Sequence, residues 1–101
     1  MNDKIIVKIS VPELDSTYDV FLPPNEIIWK ISKMITKIVF DLSEIKVNLR
    51  SNYILINKNS GKIYNNNEII IDTDIRNGTE LILTPLKWWL FYNILHFKLA
   101  F

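Results

Sequence analysis

The sequence predicts an α+β roll: a mixed sheet crossed on one face by a single helix, with a further hydrophobic helix at the C-terminal end. Three patterns lead to it. Apolar residues alternate with a period of two near the start of the chain and again around Leu81. Between those stretches, from Ile27, the spacing changes to threes and fours. After Pro85 the alternation gives way to a run in which nearly every residue is aromatic or aliphatic.

In sequence order, Ile5, Val7, Ile9 and Val11 fall on one face of a first strand over residues 4–11. Pro12 to Ser16 is a turn. A second strand over Thr17–Leu22 turns Tyr18, Val20 and Leu22 to a common face, so the two strands predict a hairpin. Pro23-Pro24-Asn25-Glu26 ends the strand and starts a helix, with Asn25 as the N-cap and Glu26 at the positive helix end. Ile27, Ile28, Ile31, Met34, Ile35, Ile38 and Leu42 form the stripe expected to lie on the sheet, and the helix should end near Phe40 or Asp41.

Residues 45–57 read as extended, with Ile45, Val47 and Leu49 alternating and Tyr53–Ile56 the stronger strand. Asn57 to Gly61 is a turn whose glycine suits positive φ. Lys62–Tyr64 makes a short returning strand, Asn65-Asn66-Asn67 a polar loop and Ile75 to Gly78 another turn. Thr79–Leu83 is the last strand, with Leu81 and Leu83 inward and Glu80 and Ile82 outward. No repeat or linker interrupts this, so the expected organisation is one domain over 1–84 and an aromatic-rich tail over 85–101.

Composition narrows the function classes. At 101 residues the chain has the size of one domain with a modest core. Without Lys87 and Lys98, residues 1–84 carry ten basic and eleven acidic groups, formally −1. That balance lacks the basic footprint of electrostatic nucleic-acid binding. The absence of cysteine excludes disulfides, thiolate metal sites and cysteine nucleophiles. It fits a reducing, cytoplasmic compartment, and the opening residues turn polar by Lys8, without a signal-peptide core.

The element order resembles that of ubiquitin-like folds, the β-grasp. "YILINKNSGKIY" followed by "EIIIDTDIRNGTELIL" resembles the C-terminal half of YukD/EsaB proteins, ubiquitin-like proteins encoded with the type VII (WXG100) secretion systems of Gram-positive bacteria. Asn57-Lys58 and the run from Ile75 to Leu83 carry most of the likeness, which covers about residues 4–84. The resemblance implies a ubiquitin-like fold and an accessory role in secretion through protein contacts. It also implies no conjugation, because this branch lacks a terminal Gly-Gly; here Leu83 is followed by Thr84-Pro85, and no glycine occurs after Gly78. The tail departs from the family pattern. A membrane component of actinobacterial type VII systems resembles the same domain placed ahead of transmembrane helices, which makes a membrane subunit of a secretion machine one candidate partner.

Catalytic candidates are sparse. His96 is the single histidine and sits in the tail, where it reads as a polar break rather than a triad member. Asp72 with Asp74, and Asp41 with Glu44, lack the further oxygen ligands of a calcium loop and read as solvated turn residues. Gly61 and Gly78 are isolated, so no phosphate-cradling loop is present. The expectation is a protein that is not an enzyme and has no cofactor.

The informative residues are apolar ones placed where water is expected. On the helical wheel Trp29 and Phe40 fall opposite the Ile31/Ile38 stripe, with Lys33 and Thr36 between them, a candidate contact surface. Ile6 and Ile82, outward on the sheet, are expected to neighbour each other and form a second. Residues 86–101 contain no Gly or Pro and predict a helix. Trp88, Trp89, Phe91 and Leu95 are its candidate contact residues. Such a helix is apolar all round, too short to span a bilayer, and interrupted by Lys87, Asn93, His96 and Lys98. Three readings remain open: a contact made in cis, with a partner or in a homodimer; docking at the inner face of the cell membrane; or an extension without function.

Overall fold

The computed structural model describes residues 4–43 and 52–90. Strand β1 (Ile5–Val11) pairs antiparallel with β2 (Ser16–Leu22), from Ile5 opposite Leu22 to Val11 opposite Ser16. A 3₁₀ turn, Pro12–Leu14, joins them and closes on Asp15, whose φ of 48° is the left-handed conformation that Asp tolerates better than most residues. Helix α1 (Ile28–Ser43) follows, then β3 (Tyr53–Asn57), a second 3₁₀ turn (Ile70–Asp72) and β4 (Glu80–Pro85). The sheet order is β2-β1-β4-β3, with β1 and β4 parallel and β3 antiparallel to β4. The mixed sheet and single helix agree with the predicted roll.

The alternation seen in the sequence is the burial pattern of the strands. Ile5, Val7, Ile9 and Val11 are buried on β1, and Leu81 and Leu83 on β4. Tyr18 and Val20 of β2 are half-buried against that core, and Leu22 completes it. Gly61 takes the positive φ expected of it, 76°, and Gly78, in the other predicted turn, takes 86° as well. The returning strand at 62–64 shrinks to one bridge, Ile56 opposite Ile63.

Two expectations about α1 need correction. Asn25 is not its cap: the helix begins at Ile28, and Asn25 is exposed. The first free amides are satisfied by backbone instead. The Ile28 N–H donates to the Glu68 carbonyl (2.8 Å) and that of Trp29 to the Asn66 carbonyl (3.2 Å). Ile27 forms a bridge with Ile69, and the Ile70 and Ile71 N–H groups return to the Glu26 and Pro24 carbonyls. This splices the loop after the Asn run onto the helix start.

The buried stripe is also rotated from the expected one. Ile28, Ile31, Ile35 and Val39 are buried as one seam, joined by Ser32, Thr36 and Phe40. Met34, Ile38 and Leu42, expected on the sheet, face outward. Two small hydroxyl residues one turn apart, Ser32 and Thr36, lie on the buried side, and Phe40 there gains an edge-to-face contact with Tyr53, centroids 5.8 Å apart. The extended segment expected around Ile45, Val47 and Leu49 lies outside the described residues, as do Glu44, Phe91, Leu95 and His96.

Candidate functional site

Among the described residues, α1 carries the largest set of exposed apolar side chains on one element. Trp29 (41 % exposed) stands at its start, with the Lys30 and Lys33 ammonium groups 5.7 and 5.6 Å from its ring centroid. Lys30 also approaches Glu26 at 3.8 Å, one turn earlier. About half a turn round the helix from Trp29, Met34, Ile38 and Leu42 (41, 48 and 68 % exposed) follow one another at intervals of four, a ridge along one flank. Trp29 and Lys33 are exposed on the side of the helix opposite Ile38. Phe40, expected beside them, is buried on Tyr53, so it belongs to the core and not to this surface.

The sheet's outer face is organised differently from expectation. Ile6 and Ile82 share that face but are not neighbours, because Ile82 lies opposite Ser10, four residues further along β1. The cross-strand neighbour of Ile6 is Phe21, 60 % exposed. Between the two groups runs a charged row, Asp19–Lys8–Glu80, extended by a 4.0 Å approach of Lys58 to Glu80. Ile82 instead faces Ile56 on β3. The parallel register of β1 and β4 cannot be read from either strand alone, so the sequence does not reveal the pairing.

At the end of β4 the backbone turns directly into helix. Residues 86–90 are helical, and the Leu86 N–H donates to the Asn52 carbonyl at 2.8 Å. Trp88 and Leu90 are exposed, whereas Trp89 is half-buried.

Polar side chains near the core serve the turns. Asn57 is buried, and its Oδ1 accepts from the Asn59 and Ser60 amides (2.9 and 3.1 Å). Its Nδ2 donates to the Tyr64 hydroxyl at 3.1 Å, and that hydroxyl donates to Asp74 Oδ1 at 2.5 Å. Burial, followed by the bond to the Asp74 carboxylate, pushes the Tyr64 phenol up to about 12. Burial, then the 2.6 Å bond to Glu13, likewise drives the Tyr53 phenol upward. Asp74 thus fastens the turn before β4 to the β3 side of the sheet. No group of three or more His, Asp or Glu among the described residues is arranged to hold a metal ion.

This mixed sheet with a helix across it is the ubiquitin-like β-grasp fold. No family model and no curated protein matches the chain. Solved structures do. The ubiquitin-like domain of EccD5 from Mycobacterium xenopi superposes with a TM-score of 0.69 at 18 % identity, over 84 % of this chain and 97 % of that domain. A subunit of the MycP5-free ESX-5 inner membrane complex matches with a TM-score of 0.65 at 14 % identity, over 81 % of this chain and 21 % of that one. The N-terminal ubiquitin-like domain of the 4931431F19Rik protein matches with a TM-score of 0.62 at 22 % identity, over 82 % and 75 %. At these identities the likeness is one of fold.

Proposed function

We propose that this protein is a non-catalytic, unconjugated ubiquitin-like interaction module that serves a type VII (WXG100) secretion machine of the YukD/EsaB kind through protein contacts. The observation that carries the reading is the outward ridge of α1. Met34, Ile38 and Leu42 are apolar surface that the protein's own core does not use, and Trp29 with Lys33 offers a separate contact on the opposite side of the helix. The helical start directly after Pro85 supports the unconjugated part, since activating enzymes act on an extended, glycine-ended strand tail. The likeness to the EccD5 domain supports the secretion context, with a membrane subunit of the machine as the partner.

In this reading residues 1–84 are the binding domain. Residues 85–101 are an accessory contact that includes Trp88, Trp89, Phe91 and Leu95, and the protein works on the cytoplasmic side of the membrane. The test is export in the native host. Deleting the gene should abolish export of WXG100 substrates, and a copy carrying Ile38→Lys should fail to restore it. Undiminished export after deletion overturns the secretion role.

A second reading, recruitment to lipid by the tail, is favoured by the exposure of Trp88 and Leu90 beside Lys87. No helix among the described residues is long and apolar enough to cross a membrane. Flotation of the full-length protein with anionic vesicles, and its loss on removing residues 86–101, would support it; no flotation sinks it. A homodimer through the tail predicts a doubled mass in light scattering that the same truncation halves.

A further inference from the structure

Asn77 and Gly78 form the turn that launches β4, and the turn is docked on one residue of β1. The Ile6 N–H donates to Asn77 Oδ1 at 2.9 Å, while the Ile6 carbonyl accepts from the Gly78 N–H, also at 2.9 Å. The turn closes on itself as the Thr79 N–H donates to the Arg76 carbonyl (3.0 Å) and the Arg76 N–H to Thr79 Oγ1 (2.8 Å). Both Asn77 and Gly78 are exposed. An added Cβ at Gly78 would meet nothing within 4 Å. Asn77 is the one asparagine in the sequence followed by glycine.

We propose that Asn77-Gly78 is a self-modifying site, whose side-chain amide converts to aspartate and isoaspartate, and that Ile6 sets the rate. The amide nitrogen of Gly78, losing its proton, attacks Cγ of Asn77. A new bond from that nitrogen to Cγ closes a cyclic imide, the bond from Cγ to Nδ2 breaks, and Nδ2 leaves as ammonia. Water then opens either imide carbonyl. One opening gives aspartate; the other gives isoaspartate, whose backbone runs through the former side chain. Only water is consumed, and no electrons are exchanged. Glycine favours the step because no side chain shields its nitrogen.

In the folded protein both reacting groups are held apart from this path by the same residue. The Gly78 N–H is engaged by the Ile6 carbonyl, and the Asn77 side chain is turned toward the Ile6 N–H. Cyclisation therefore requires the start of β1 to lift from the turn, a local opening rather than global unfolding. The isoaspartate product adds a methylene to the backbone between Asn77 Cα and Gly78 N, inside the turn closed by the Thr79 N–H to Arg76 carbonyl bond and immediately before the Gly78 N–H to Ile6 and Lys8 N–H to Thr79 (3.0 Å) bonds. Those bonds lead into the parallel ladder of Lys8, Ile9 and Ser10 with Glu80, Leu81 and Ile82, the single junction between the two halves of the sheet. Conversion thus weakens the sheet at its middle and irreversibly ages the protein.

The experiment incubates the full-length protein at neutral pH in native buffer and in concentrated urea. Peptide mass spectrometry follows Asn77, and isoaspartyl methyltransferase labelling identifies the isomer. Conversion should be roughly thirtyfold slower in native buffer than in urea, the factor that two ordinary hydrogen bonds confer. Equal rates overturn the role of Ile6, and no conversion in urea overturns the site. The isoaspartate form, separated by ion exchange, should melt below the unconverted protein; an unchanged melting temperature overturns the effect on the sheet. Val7→Ala, which loosens β1 without touching the turn, should raise the native rate toward the urea rate. A native rate unchanged in a measurably destabilised Val7→Ala protein would also count against local opening.

Discussion

On one flank of α1, two hydroxyl residues, Ser32 and Thr36, are buried together with Phe40; on the other, Met34, Ile38 and Leu42 are exposed. By hydropathy alone the two flanks would be exchanged. The difference teaches that a tertiary partner and a satisfied hydroxyl can outweigh the apolarity of the stripe in selecting the buried side. Phe40 packs edge-to-face on Tyr53. Thr36 tolerates burial because its Oγ1 donates to the Ser32 carbonyl at 2.6 Å, one turn back. The exposed ridge is then surplus to folding, the condition under which apolar surface is available to a partner.

The strongest way to break this comparison is to empty the buried flank. Phe40→Ala should cost about 3–5 kcal/mol, because a buried aromatic leaves both lost transfer energy and a cavity. Urea unfolding measures it. A loss comparable to that of an exposed residue would mean that Phe40 faces water after all.

The second probe asks whether buried hydroxyls are tolerated because they are partnered. Tyr64 has two partners, Asn57 and Asp74. Tyr64→Phe removes the shared hydroxyl and leaves the Asn57 amide one acceptor short, for an expected loss of about 1–3 kcal/mol. The same phenol supplies a pH signature. Its value in the folded protein is raised from 10.0 to about 12, so the fold favours the neutral form. That contribution is fully present below pH 10 and is lost as pH rises from 10 to about 12. Alkaline unfolding of Tyr64→Phe should therefore be shallower across that window, with the remaining slope belonging to Tyr53. Identical profiles would mean that the Tyr64 hydroxyl is solvated.

Ser32 is the converse case, since its Oγ has no hydrogen-bond partner among the described residues. Ser32→Ala relieves an unpaired buried hydroxyl and raises helix propensity, so the protein should gain about 0.5–1 kcal/mol. A loss would reveal a partner for that hydroxyl.

How far the sequence could be read follows from which forces are local. The period-two strands were legible because Ile5 to Val11 and Leu81 to Leu83 alternate across a sheet with one buried face. The turns at Gly61 and Gly78 were legible because positive φ has a chemical signature. The orientation of α1 was not, because Ile38 and Phe40 are both apolar and the contact that holds Phe40 inward, Tyr53, is distant in sequence. The cap at Asn25 was overridden by carbonyls of the loop at 66–68, again a distant segment. The Ile6–Phe21 pair depended on register, and the Tyr64–Asp74 tie on two turns meeting. Of the candidate surface, Trp29 and Lys33 were visible as outliers of the helical pattern, whereas Met34, Ile38 and Leu42 were concealed by resembling a core.

The smallest expected effect on stability is the most discriminating for function. Ile38→Lys on the exposed ridge should change unfolding free energy by no more than about 0.5 kcal/mol, because the side chain is already half in water. Its effect on binding should be large. A lysine in the centre of the ridge sets a charge between Met34 and Leu42, and a partner helix seated there must desolvate it. Isothermal titration against the partner proposed above, a membrane subunit of a secretion machine, compares the variant with Lys37→Ala, one residue away, where no apolar contact is removed. Loss of binding in Ile38→Lys with retention in Lys37→Ala places the contact on the apolar ridge. Equal binding by both moves it off α1, to the Ile6–Phe21 face or to the C-terminal segment. A strongly destabilised Ile38→Lys protein would instead show that the ridge is covered within the protein itself.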